Sequence, residues 1–237
     1  MTYLRWAVCG GLVLGSGASA AGHQTLSYVA QQGTPQPALV WCDAPDAVLA
    51  LTQPGDGFTG KLLSWPKTGS GLGPPRSQAV RINLTGPLAE AEFHETIWEG
   101  VTRQQAGGLL RRSRDARERI NTFEFAHGGR AYACRQVPTA VFIGVTQRRT
   151  VIIWDSGRAA TYATRNFDGS AGAYVTGGQV KYGGLGPEYT FSAANGYSYL
   201  VLYHEYSAFL QVSYRGKVLL TEPFVAYSLS RATKESP

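Results

Sequence analysis

Helix formers and charge are both scarce in this chain. One methionine and 16% charged side chains are spread over 237 residues. With so few helix-favouring Lys and Glu residues, a helical bundle is not the expected outcome. Three cysteines are too few for a dense disulfide framework, and a chain this long buries enough surface to fold without one. After the first twenty residues no segment is long and apolar enough to cross a bilayer as a helix, so no transmembrane segment is expected in the mature chain. The motifs H-x-H, H-E-x-x-H, C-x-x-C and G-x-S-x-G are all missing. Their absence removes the local signatures of zinc sites, dithiol redox centres and nucleophile elbows.

What the chain does contain is 29 glycines, 13 tyrosines and an aromatic content of 11%. Together with the β-branched residues this is an all-β balance. The opening MTYLRWAVCGGLVLGSGASA has a cationic start at Arg5, an apolar middle over 6–14, and Ala18 and Ala20 at the positions of a signal-peptidase site. It reads as a signal peptide over 1–20 that is removed on export. Cys9 would leave with it, and the remaining Cys42 and Cys134 would meet an oxidising compartment and pair. Closing a loop of about 92 residues is worth roughly 4–5 kcal/mol on the chain-entropy model.

Apolar and aromatic runs bounded by Gly, Pro, Asn and Asp predict strands at 38–42, 47–52, 60–65, 79–84, 91–98, 122–125 and 130–134 in the first part of the chain. In the second part they predict strands at 141–146, 150–154, 158–164, 173–176, 179–182, 189–192, 197–203, 208–214 and 217–221. Asn195-Gly196 and Arg215-Gly216 mark hairpins. TGGQVKYGGLG, 176–186, lacks the ending of a phosphate loop and reads as flexible chain between strands. One stretch breaks the pattern: QQAGGLLRRSRDARERI, 104–120, predicts a short helical or irregular excursion.

The stretches ALVWCDAPDAVLALTQ and RAYACRQVPTAVFIGVTQ share an order of features: apolar run, cysteine, proline break, apolar run, Thr-Gln. TGKLLSW and RRTVIIW follow the two endings at similar distances. Together these predict a duplicated antiparallel unit of about 90–100 residues. The units would be barrel-like or sandwich-like, the first over 21–137 and the second over 138–237. The bridge would staple the first unit. The second holds ten of the thirteen tyrosines and would rely on aromatic cross-strand pairs.

Few residues point to chemistry. His94 and His204 sit in Phe-His-Glu and Tyr-His-Glu contexts, but neighbours on a strand face opposite ways. A metal site would need ligands from distant strands, and none is assigned; no cofactor is expected. Arg111, Arg112, Arg114, Arg117 and Arg119 form a cluster suited to phosphate or carboxylate, hence to an anionic polymer or an acidic envelope protein. Tyr197, Tyr199 and Tyr203 share a strand face and would form either core or an aromatic binding surface. Because both faces of 197–203 carry bulky apolar groups, that strand is expected to be covered on both sides. A net charge of +6 is weak support for nucleic-acid binding, and none is expected.

Around Gly186-Pro187-Glu188-Tyr189 the second unit resembles the small exported inhibitors of c-type lysozyme, which carry a G-x-x-Y segment. Leu185 stands where that family has a serine. The resemblance implies an antiparallel barrel and, as an alternative activity, inhibition of a hydrolase that attacks the envelope. The expectation for the whole chain is an exported, non-catalytic binding or structural component of the bacterial cell envelope, periplasmic or envelope-associated. A metal-dependent enzyme with a dispersed site is a further alternative.

Overall fold

The computed structural model describes residues 23–55, 59–85, 90–95, 108–112, 123–127, 130–135, 137–183, 186–204 and 207–232. Among them there is no helix; the described residues form nineteen strands in a curled antiparallel sheet. The first part supplies β1 (His23–Gln31), β2 (Thr34–Asp43), β3 (Ala47–Thr52), β4 (Thr59–Thr68), β5 (Gly71–Leu72), β6 (Arg76–Thr85), β7 (Glu90–Glu95), β8 (Gly108–Arg112), β9 (Phe123–His127) and β10 (Arg130–Ala133). The second part supplies β11 (Phe142–Val145), β12 (Arg149–Asp155), β13 (Ala160–Asn166), β14 (Tyr174–Gly183), β15 (Gly186–Ser192), β16 (Tyr197–His204), β17 (Ser207–Tyr214), β18 (Lys217–Pro223) and β19 (Ala226–Ala232).

Two meanders leave a shared centre. The first runs outward from β1 to β10, each strand pairing with the next except that β6 skips the two-residue β5 and pairs with β4. The second runs outward from β11 to β18. The last strand, β19, then returns and lies between β11 and β1. The β1–β19 register, His23↔Ala232 to Val29↔Ala226, thus joins the halves through strands from opposite ends of the described chain.

Each meander turns a corner on one bent strand. Residues 34–37 of β2 pair with β1, whereas 38–43 pair with β3 across a register shift. Pro35 and Pro37 lie in the first segment, where a missing N–H suits a strand leaving one ladder for another. In β14, 174–178 pair with β13 and 179–183 with β15. Gly177 has φ +75°, and a Cβ on Gly178 would stand 2.2 Å from a Phe191 ring carbon. The expected flexible chain over 176–186 is therefore one strand over most of its length, with the Gly-Gly pair as its corner.

Three apolar clusters fill the molecule. One lies inside the first meander around Val40, Cys42, Leu49, Leu51, Val80 and Ile82. One lies inside the second meander around Phe142, Tyr162, Phe191, Leu210 and Tyr227. The third, with Trp41, Val48, Ala50, Leu63, Trp65, Ile143 and Val145, lies where the two meanders meet. In β3, Leu49 and Leu51 face the first cluster while Val48 and Ala50 face the third. In β12, Val151 and Ile153 face the second cluster while Ile152 and Trp154 pack on the third. Strands buried on both faces need continuous apolar runs, which explains AVLALT and RTVIIWD. Double coverage was expected of 197–203, but there Ser198, Leu200 and Leu202 are only half-buried. It belongs instead to the strands at the seam.

The two matching stretches occupy unlike places. The first is the β2–β3 hairpin. In the second, β10 pairs with β9 while β11 pairs with β12 and β19, so the chain between them crosses from the rim of one meander to the centre. What repeats is the bonding role of the Thr-Gln pair: Thr52 Oγ1 accepts the Lys61 N–H at 2.9 Å, and Thr146 Oγ1 accepts the Arg149 N–H at 3.2 Å. Both glutamines give their amide to a backbone carbonyl, Gln53 to Ala38 and Gln147 to Leu72. The expected excursion over 104–120 is overturned where it is described: Gly108–Arg112 is β8, held between β7 and β9, and the remainder lies outside the described residues.

Candidate functional site at the seam of the two halves

Cys42 and Cys134 are bonded, with their Cα atoms 5.1 Å apart. The bridge carries the rim of the first meander back to β2, and the next residue on each side continues the closure. The Arg135 N–H donates to the Asp43 carbonyl at 2.9 Å, and Arg135 Nε donates to Asp43 Oδ2 at 2.7 Å. The Asp43 side chain is 1% exposed. A carboxylate that deep is tolerated only when its oxygens are satisfied, and here both are. Oδ1 receives Lys67 Nζ, while Oδ2 also receives the Thr150 hydroxyl at 2.8 Å. Thr150 belongs to β12, so this carboxylate binds both meanders.

Lys67 lies next to the end of β4, and its side chain is 8% exposed. Its ammonium donates to the Ala44 carbonyl at 2.5 Å and lies 4.7 Å from the centre of the Phe167 ring, a cation–π arrangement. Burial pulls the Lys67 pKa below the ordinary lysine value, and the Asp43 carboxylate pulls in the opposite direction. Asp46 is paired with Arg130.

These groups border an open cavity of about 480 Å³ lined by Asp43, Asp46, Lys67, Arg135, Arg165 and Phe167 among others. Arg165 is exposed and stands opposite Thr150 in the β12–β13 ladder, which brings a third cation to the rim. Sequence reasoning missed this site. Its residues come from β2, β4, the segment after β10, and β13, with no spacing to connect them. One local signal existed: an aspartate and an arginine each directly follow a paired cysteine.

No protein-family model, no curated protein and no solved structure matches the chain. The geometry therefore carries the functional reading alone.

The residues singled out from sequence fall elsewhere. Arg111 and Arg112 lie in β8; Arg114, Arg117 and Arg119 are outside the described residues. His94 lies in β7 opposite Arg81, and His204 in β16 opposite Ser207, in different meanders. Among the described residues no three His, Cys, Asp or Glu side chains gather as a metal site would require. The shared face of β16 turns inward. Tyr203 is buried with its ring 4.6 Å from that of Phe142, Tyr199 stacks on Tyr162 at 4.7 Å, and Tyr197 packs on Tyr214 at 5.0 Å. These contacts make the three tyrosines core or core margin. The Gly186-Pro187-Glu188-Tyr189 segment begins β15, and Tyr189 is buried with its hydroxyl 3.1 Å from Asp155 Oδ2. Among the described residues no helix is long and apolar enough to cross a membrane.

Proposed function

We propose that the protein is an exported, non-catalytic component of the bacterial cell envelope that acts by binding, built as two β units in tandem over 21–137 and 138–237. The observation that carries this reading is the Cys42–Cys134 disulfide. A bridge across 92 residues persists in an oxidising compartment and is rare in a reducing one, and the leader-like first twenty residues agree with it. The non-catalytic part is supported by how the buried carboxylates are used. Asp43 is filled by two cations and a hydroxyl, and Glu222 by the Thr146 hydroxyl at 2.7 Å and Arg149 at 3.1 Å. Carboxylates held in this way brace strands and have little freedom to move protons.

Expression of the full chain with its own leader, followed by cell fractionation and intact-mass measurement, tests the reading. Shortened chains lacking the leader, lighter by two hydrogen atoms than the dithiol form and recovered with washed envelopes, are expected. A full-length product with free thiols in the cytosol would end the proposal.

A further inference from the structure

We propose that the cavity at the seam is a binding site for an anionic group, a carboxylate or a phosphate, gripped by the guanidinium groups of Arg135 and Arg165. This assignment does not depend on where in the cell the protein resides.

The argument begins with which donors are already in use. Asp43 has both oxygens occupied, by Lys67 on one side and by Arg135 Nε and Thr150 on the other. Arg135 gives only its Nε to this carboxylate, and among the described residues the terminal nitrogens of its fork remain for a second acceptor. A fork of this kind is suited to two-point recognition of carboxylate or phosphate. Asp46 is neutralised by Arg130, and Arg165 makes no ion pair among the described residues. The cavity is lined by three cations, Lys67, Arg135 and Arg165, and two carboxylates; Asp43 is held by Lys67 and Arg135 together, and Asp46 by Arg130 outside the lining, so the surplus charge is positive.

One of the two donors is also held in place before any ligand arrives. Arg135 is fixed by its own N–H on the Asp43 carbonyl and by the neighbouring disulfide. Arg165 is fixed at backbone level by the Thr150 pairing. Donors that need no reordering give more affinity per contact. A volume of about 480 Å³ lies in the range of small-ligand pockets, about 300–1,000 Å³. The cavity could admit a sugar acid, the carboxylate end of a short peptide or a phosphate ester. Lys67 adds to the attraction: its ammonium is stripped of water and only partly compensated by Asp43, so a second anion nearby stabilises its charged form.

Two probes separate the sources, inorganic phosphate and N-acetylalanine. Each is titrated at pH 7 against sodium chloride of matched ionic strength, with backbone amide shifts as readout. At least one should give saturable shifts clustered at 43–46, 133–135 and 165–169. Arg165→Ala should weaken that binding by about tenfold, the equivalent of one charge-assisted contact of about 1.4 kcal/mol. Arg165 is exposed, so this variant folds. Arg158→Ala, an exposed arginine outside the cavity lining, should leave binding unchanged. Saturation by phosphate alone assigns a phosphate ester, by N-acetylalanine alone a carboxylate, and by both a general anion site. Shifts that never saturate, that sodium chloride reproduces, or that survive Arg165→Ala unchanged would overturn the proposal.

Discussion

The two meanders meet the same requirement with different chemistry. Both must bring an outer strand back toward the centre so that an apolar interior closes. The first does so covalently and with charge: Cys42–Cys134, then Asp43 with Arg135 and Lys67, around an interior that is mostly aliphatic. The second has no cysteine and closes with rings. Phe142 stacks on Tyr203, Tyr162 on Tyr199, and Phe224 meets Phe142 edge-on at 5.0 Å. It keeps one charged clasp, Glu222 with Arg149 and Thr146, joining β18 to the β11–β12 end. A small aliphatic interior buries less area per residue than an aromatic one, so the staple stands where the rings are fewest.

The largest test of this contrast is removal of the staple. Cys42→Ser with Cys134→Ser should cost roughly 4–5 kcal/mol, the loop-closure value for 92 residues. Denaturant unfolding would read it, with Trp41 and Trp65 in the interface cluster as fluorescence probes. Equal midpoints for the oxidised protein and the variant would show that the first meander does not need its bridge.

The two carboxylates give the next comparison. Asp43→Asn leaves Lys67 and Arg135 without their counter-charge and should cost about 3–5 kcal/mol, as breaking buried pairs does. Glu222 is less enclosed than Asp43, with side-chain exposures of 10% and 1%. Glu222→Gln should therefore cost less. A reversed order would mean that the second meander, despite its rings, depends more on its clasp.

Alkali should act selectively on the aromatic half. Burial raises the phenol pKa values of Tyr162, Tyr189 and Tyr227 above the ordinary value near 10. A folded-state pKa raised above the unfolded one contributes stability in full below the unfolded value. That contribution is lost as pH rises beyond it, because the unfolded chain releases protons that the folded chain retains. Stability should hold to about pH 10 and then fall. These three tyrosines should ionise together with unfolding when followed by phenolate absorbance. Their ionisation in an intact fold would contradict the packing described.

The smallest expected effect is Tyr162→Phe. The Tyr162 hydroxyl is buried with no hydrogen-bond partner among the described residues, so its loss removes a desolvated group and no bond. The variant should be unchanged or more stable by up to about 1 kcal/mol. Tyr189→Phe, which gives up a bond to Asp155, should instead lose about 1 kcal/mol. The difference between their thermal midpoints would separate ring packing from hydroxyl bonding.

Much of the strand pattern was legible because turn chemistry is local. Gly196 at φ +86° and the Arg215-Gly216 pair at +46° and +80° take the left-handed backbone that their hairpins require. β3 has the limits its continuous apolar run predicts. β1 and β19 were missed, although Gln32-Gly33 at φ +51° and +82° form the same kind of two-residue turn as Arg215-Gly216. Alternation identifies a strand's buried face but carries no information on which strand lies beside it. For that reason the likeness of the two Thr-Gln stretches extends to how the Thr and Gln side chains bond and not to position in the sheet.

By itself the amino-acid sequence determined that this chain is all β, where most of its hairpins turn, and which two cysteines pair. These follow from backbone preference and from the small number of available thiols. Only the tertiary structure decided that the strands at opposite ends of the described chain lie side by side, that the apolar runs at the seam are covered twice, and that Asp43, Lys67, Arg135 and Arg165 border one cavity. Those outcomes rest on contacts between residues far apart in the chain, where packing and charge, unlike turn propensity, leave no fixed spacing.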